Sequence, residues 1–145
     1  MAHRPYHEAI AEQIEVVMDR FGCALLLDCH SMPPPPLGVP PVVFGDCRGR
    51  TAEAWVSSAA MTIANRHGFK AGLNDPFAGG HVIDRHARPA RGVHALQIEI
   101  DRRCYLDKAL RNPGEDFARA ASLIDALAVE LGEALLGRQF ATAAE

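Results

Sequence analysis

Cys23-Ala24-Leu25-Leu26-Leu27-Asp28-Cys29-His30-Ser31 is the stretch on which the reading of this chain turns. Its first half is short, apolar on both faces and bounded by turn residues, which is the pattern of a buried strand in a largely parallel sheet. Polar chemistry begins where that apolar run ends. In open α/β sheets, ligands gather beyond the carboxyl ends of the strands, so Asp28 and His30 are the first places to look for function.

Upstream, Ile10, Ile14, Val17, Met18 and Phe21 recur at three- and four-residue intervals, predicting an amphipathic helix over Pro5 to Phe21 that Gly22 stops. Downstream, Ser31 to Pro41 holds six prolines in eleven residues, which neither continue a helix nor donate to a ladder and so form a stiff extended loop. Val42 to Gly45 reads as a short strand. Thr51 to His67 returns to helical spacing through Trp55, Ala59, Ala60 and Ile63, and Gly68 closes it. Phe69 to Leu73 is a further strand, and the turn-rich run from Asn74 to Gly92 reads as one long surface loop.

Val93 to Ile100 is rich in apolar and β-branched residues and has the signature of a central strand. Phe117, Ala121, Ile124, Leu127, Ala128, Leu131 and Leu135 form the clearest amphipathic stripe, predicting a helix from near Pro113 to near Leu136. Helix, strand, helix, strand, strand and helix in this arrangement predict an α/β fold, a three-layer, mostly parallel sheet flanked by helices. A chain of 145 residues with 48% apolar content suits a single domain over 1–145.

The formal charge is -3 and the basic residues are scattered, so no stripe recruits a phosphate backbone and nucleic acid is not an expected partner. Met1 to Ile10 has no apolar h-region, and no stretch approaches the roughly 18 apolar residues of a membrane span. Neither a membrane partner nor a secretory route is expected, and a cytoplasmic location follows. The four cysteines, Cys23, Cys29, Cys47 and Cys104, show no C-x-x-C pair and read as thiols.

Two positions carry the candidate chemistry. Asp28 lies two residues before His30 and so projects to the same side of a strand, where a carboxylate orients an imidazole that binds metal. Glu99 interrupts the apolar strand Leu96-Gln97-Ile98-Glu99-Ile100, and a buried carboxylate needs a cation, a proton or a function. An ion pair with Arg102 or Arg103 is the plainer alternative for Glu99, and hydrogen-bonded structure is the plainer one for His30. Ser31 or Cys29 beside His30 would suit a nucleophilic hydrolase, but no nucleophile elbow accompanies them.

Read together, Asp28-Cys29-His30-Ser31-Met32-Pro33, Gly45-Asp46, Asn74-Asp75-Pro76-Phe77-Ala78-Gly79-Gly80, Gly92-Val93-His94-Ala95-Leu96-Gln97-Ile98-Glu99 and Tyr105-Leu106-Asp107 occur in one order that resembles the N-formylglutamate amidohydrolase family. The resemblance runs from about Pro5 to about Leu136. It implies a zinc carboxypeptidase-like fold, with His30 as one zinc ligand and Glu99 as the carboxylate that handles the proton of the attacking water. The implied substrate is N-formylglutamate or a related N-acyl amino acid, with Arg88 and Arg85 as candidate contacts for its carboxylates.

The family more often carries a Thr-Arg-His-aromatic-Gly-Arg-Pro run where this chain has His81-Val82-Ile83-Asp84-Arg85-His86-Ala87-Arg88-Pro89, and only Arg88-Pro89 matches cleanly. The two further zinc ligands that the resemblance implies form an H-x-x-E pair upstream of His30, and no such pair is present here; the sole H-x-x-acid match is His81 with Asp84. The chain therefore resembles the C-terminal half of the family with an incomplete zinc site. The alternative is a non-catalytic module that acts in protein interaction or complements a separate N-terminal half. Missing early strands would leave a sheet edge open, favouring homo-oligomers formed through that edge.

Overall fold

The structure, a computed structural model, describes residues 3–143. Helix α1 (His3–Phe21) leads into strand β1 (Ala24–Met32), followed by β2 (Val42–Gly45), α2 (Ala54–Arg66), β3 (Ala71–Leu73), α3 (His81–His86), β4 (Val93–Asp101) and α4 (Phe117–Ala143). Gly22 ends α1 with φ 72°, and its amide donates to the Met18 carbonyl at 2.8 Å. A side chain there would resist the left-handed conformation that lets the chain turn into β1.

The four strands form one sheet in the order β1-β4-β2-β3. β1 runs parallel to β4 and β2 parallel to β3, while β2 and β4 are antiparallel. The expected mostly parallel, helix-flanked α/β arrangement is thus present. β4 is interior and buried at every residue, as its composition predicts.

β1 differs from its reading as a buried strand. Among the described residues it has one strand neighbour, β4, and Leu25, Leu26 and Leu27 are only half-buried. An edge strand leaves one flank of even an apolar run uncovered, and hydropathy alone does not distinguish that case from a central strand. β1 also continues four residues past Asp28, because Cys29, His30, Ser31 and Met32 stay in register with β4.

The larger core lies on the sheet face that presents Val42, Phe44, Leu96, Ile98 and Ile100. Against it pack Val56, Ala60 and Ile63 of α2 and Leu123, Leu127 and Leu131 of α4. Each fully buried leucine of this set stabilises the fold by about 1.5–3 kcal/mol relative to an exposed one. The opposite face has a small cluster of Cys47, Ile83, Ala87 and Ala95 with Leu26 beside it, and α3 and α1 flank this side. All four cysteines are unpaired thiols.

Candidate active site

Parallel register sets Asp28 opposite Gln97 and His30 opposite Glu99. Side chains alternate along each strand, so these four project from one sheet face as two adjacent rows separated by about 4.8 Å of strand spacing. Glu99 is 9% exposed, and its Oε1 accepts a 3.0 Å hydrogen bond from Gln97 Nε2. His30 Nε2 lies 2.9 Å from Asp28 Oδ2; the His30 side chain is 45% exposed and that of Asp28 only 12%. The imidazole therefore faces solvent from a carboxylate anchor.

Burial pushes the Glu99 carboxyl above the ordinary glutamate range, His30 and the Gln97 hydrogen bond pull it back, and Asp28 adds to the rise. A carboxyl group moved toward neutral pH is better suited to exchange protons than an unperturbed one. Arg102 and Arg103 are not its partners: Arg103 Nε and Nη2 bind Asp101 Oδ2 at 2.9 and 2.6 Å, and Arg102 Nε donates to Ser31 Oγ at 3.4 Å. Ser31 and Cys29 alternate with His30 along β1 and so project from the other face, which removes the nucleophile arrangement that their adjacency in sequence suggests.

The floor beside this row is built from glycines and a buried carboxylate. Gly45 pairs with Gln97 in the β2–β4 register, and a Cβ there would meet the Ala78 carbonyl carbon and the Gly79 nitrogen at 2.7 Å. Only glycine lets residues 78–80 pass this close to the sheet, bringing Gly80 against Gln97 Oε1. Asp46, 3% exposed, holds the turn: its Oδ1 accepts from the Gly49 amide and Asn74 Nδ2, both at 2.8 Å, and its Oδ2 accepts from Ser57 Oγ at 2.5 Å. Asn74 Oδ1 in turn accepts from the Asp46 amide at 3.1 Å. Gly45-Asp46 and Asn74 were legible as motifs, but Gln97 and Ser57 had no signal beyond lying in or near them.

The structure does not bring Arg88 and Arg85 to the His30–Glu99 pair. The Arg88 backbone bridges to Val93, with amide-to-carbonyl distances of 2.8 and 3.1 Å. Val93 is six residues before Glu99, about 20 Å along β4, beyond the reach of one arginine side chain. Arg88 Nη1 is spent on the Arg85 and Ala87 carbonyls at 3.0 and 2.5 Å. Arg85 lines a cavity with His7, His81 and His86. Asp84, the acidic member of the H-x-x-acid match, pairs with Arg50 at 2.8 Å.

A catalytic zinc normally takes three protein ligands. Among the described residues the donors around His30 do not form such a set, and the His30 ring nitrogen that faces Asp28 is already engaged. These residues therefore fit one ligand of a zinc site and not a whole one.

A sequence profile of N-formylglutamate amidohydrolases matches residues 1–106. The chain belongs to that family. It is 31% identical over 137 residues to an N-formylglutamate deformylase of Pseudomonas aeruginosa, and 29% identical over 111 residues to one of Pseudomonas putida. These alignments cover 90% and 72% of this chain but 50% and 42% of the relatives, so the chain spans about half the length of the curated relatives it matches. The crystal structure of an N-formylglutamate amidohydrolase from Ralstonia eutropha JMP134 superposes with TM-score 0.81 at 31% identity, over 91% of this chain and 50% of that one. A gene product of Agrobacterium tumefaciens shares the fold, with TM-score 0.61 at 21% identity over 96% of this chain and 49% of that one. No helix among the described residues is long and apolar enough to cross a membrane.

Proposed function

We propose that this member of the N-formylglutamate amidohydrolase family contributes the Glu99–His30 part of a site that hydrolyses N-formylglutamate or a related N-acyl amino acid. The observation that supports it is the register of His30 against Glu99 on one sheet face. In this reading the Glu99 carboxylate takes a proton from the water whose oxygen attacks the formyl carbon, and gives that proton to the amine nitrogen as the C–N bond breaks. Formate and the free amino acid leave. Gln97 orients the Glu99 carboxylate, and Asp28 orients His30.

His30 would serve as one ligand of a zinc ion, with its other ligands not supplied by the described residues, and that zinc would supply Lewis acidity for the carbonyl. Among the described residues β1 has one open flank, where polypeptide carrying those ligands would add its strand. The test exchanges this chain for the matching half of the Ralstonia enzyme and measures formate release with zinc present. Turnover that Glu99→Gln lowers by about 100-fold or more is expected. A Glu99→Gln hybrid within about tenfold of the parent hybrid overturns Glu99 as the acid–base group. In the hybrid, a zinc-dependent shift of the His30 ring resonances checks the ligand role independently of turnover.

A further inference from the structure

Four of the seven histidines gather away from His30, between the first turns of α1 and helix α3. His3 and His7 are four residues apart and so share one face of α1. His81 opens α3 directly across from them, and His86 closes it. The ring centroids are 4.5 Å apart for His3 and His7, 5.3 Å for His7 and His81, and 5.8 Å for His3 and His81. One ring nitrogen from each of His3, His7 and His81 lies within 4.8 Å of the other two.

We propose that His3, His7 and His81 bind one divalent transition-metal ion of the zinc, nickel and copper class, at a site distinct from His30. Three imidazoles converging from two helices match the ligand number and type of an open tetrahedral site, whose fourth position is left for water or an exogenous ligand. The nearest carboxylates are committed elsewhere. Asp84 pairs with Arg50 at 2.8 Å and Glu8 with Arg4 at 2.7 Å, so the donor set is all nitrogen and does not suit magnesium or calcium.

His86 completes the arrangement from behind. His7 Nδ1 and His86 Nε2 are 2.8 Å apart, which requires one nitrogen to donate and the other to offer a lone pair. With the hydrogen on His7 Nδ1, the His7 Nε2 lone pair is free for a metal, and His86 plays the part that a carboxylate usually plays behind a metal-bound histidine. His7 is 4% exposed, while His3 and His81 are exposed, so the site has a fixed inner ligand and two outer ones. A metal here would fasten α1 to α3, and through buried Ile83 to the smaller core.

The site stands apart from the hydrolytic reading, and its test needs no activity. The full chain, free of any polyhistidine tag, is titrated with Co2+ and Zn2+, following the cobalt visible spectrum and the heat of zinc binding. One ion per chain with tetrahedral cobalt absorption is expected. His3→Ala and His81→Ala remove exposed ligands with little threat to folding; each should weaken binding at least tenfold, and the double variant should abolish it. His86→Ala should weaken it about 10–100-fold. His30→Ala and Asp84→Asn should leave it unchanged, which separates this site from the one at Glu99. Binding weaker than about 10 µM, or stoichiometric binding that survives loss of both His3 and His81 in protein of unchanged circular dichroism, overturns the proposal.

Discussion

Gln97 Nε2 donates to Glu99 Oε1 at 3.0 Å, from two positions earlier on the same strand, so the Glu99 carboxylate is held by a neighbour that cannot itself titrate. Burial raises the Glu99 pKa, with His30 and Gln97 opposing and Asp28 reinforcing the rise. The folded protein then holds this proton more tightly than the unfolded chain does, and ionisation subtracts stability as pH climbs from the unfolded value through the folded one. Glu99→Gln keeps an acceptor oxygen for Gln97 and removes the charge. The variant should gain stability over the parent at neutral pH and lose that advantage at acid pH, as read from urea midpoints across the range. A variant less stable than the parent at pH 7 would contradict this.

Asp46 has the opposite sign. Burial alone would raise its pKa, but hydrogen bonds from Ser57, Asn74 and the Gly49 amide outweigh that and hold it below the usual aspartate range. Its contribution is fully present above the unfolded pKa and is lost as pH falls through the folded one. Acid should therefore loosen the turn after β2, and Asp46→Asn should flatten that part of the stability profile. Asp46→Ala leaves the Ser57 hydroxyl, the Asn74 amide and the Gly49 N–H without their acceptor and should cost at least about 2 kcal/mol by chemical denaturation.

Gly45→Ala places a methyl group 2.7 Å from backbone atoms of Ala78 and Gly79, neither of which can rotate away. Overpacking of this kind costs about 1–3 kcal/mol. Because the displaced loop carries Gly80 against Gln97, turnover in the hybrid enzyme should fall as well. A melting temperature equal to that of the parent would show that the loop has room to yield.

Ile83 is the buried anchor of α3, with no exposed surface, and it packs with Cys47, Ala87 and Ala95. Ile83→Ala should cost about 2–5 kcal/mol through the cavity it leaves. Val129 lies 57% exposed on α4, and Val129→Ala should stay within about 0.5 kcal/mol of the parent. Equal costs at the two positions would refute the assignment of α3 to a second core.

The helices with a long apolar stripe were legible in the sequence, because α1, α2 and α4 each run at least three turns and show their period. α3 was not. Six residues cannot display a 3.6-residue period, and four of them are His81, Asp84, Arg85 and His86, so a buried side announced only by Ile83 reads as loop. The strand carrying Glu99 was recognisable from composition, and the need of its carboxylate for a partner was a sound signal. The strand's own pattern did not show the neighbours: Gln97 becomes one through the alternation of β4, while His30, which the family resemblance placed in one site with Glu99, comes beside it through the register of β1 on β4. Arg88 looked like a substrate contact because it sits in a family motif. Its place at the far end of β4 follows from α3 turning the chain back to Val93.

In a parallel ladder, successive residues of a strand direct their N–H and C=O groups alternately to the two sides. β1 has β4 on one side and no strand on the other among the described residues, so its amides fall into two interleaved populations. Hydrogen–deuterium exchange along Ala24–Met32 would then alternate, slow where the amide faces β4 and fast where it faces outward. Loss of the fast half upon addition of another polypeptide would report a new neighbour strand residue by residue, while leaving the His30 and Glu99 row on the face of the sheet untouched.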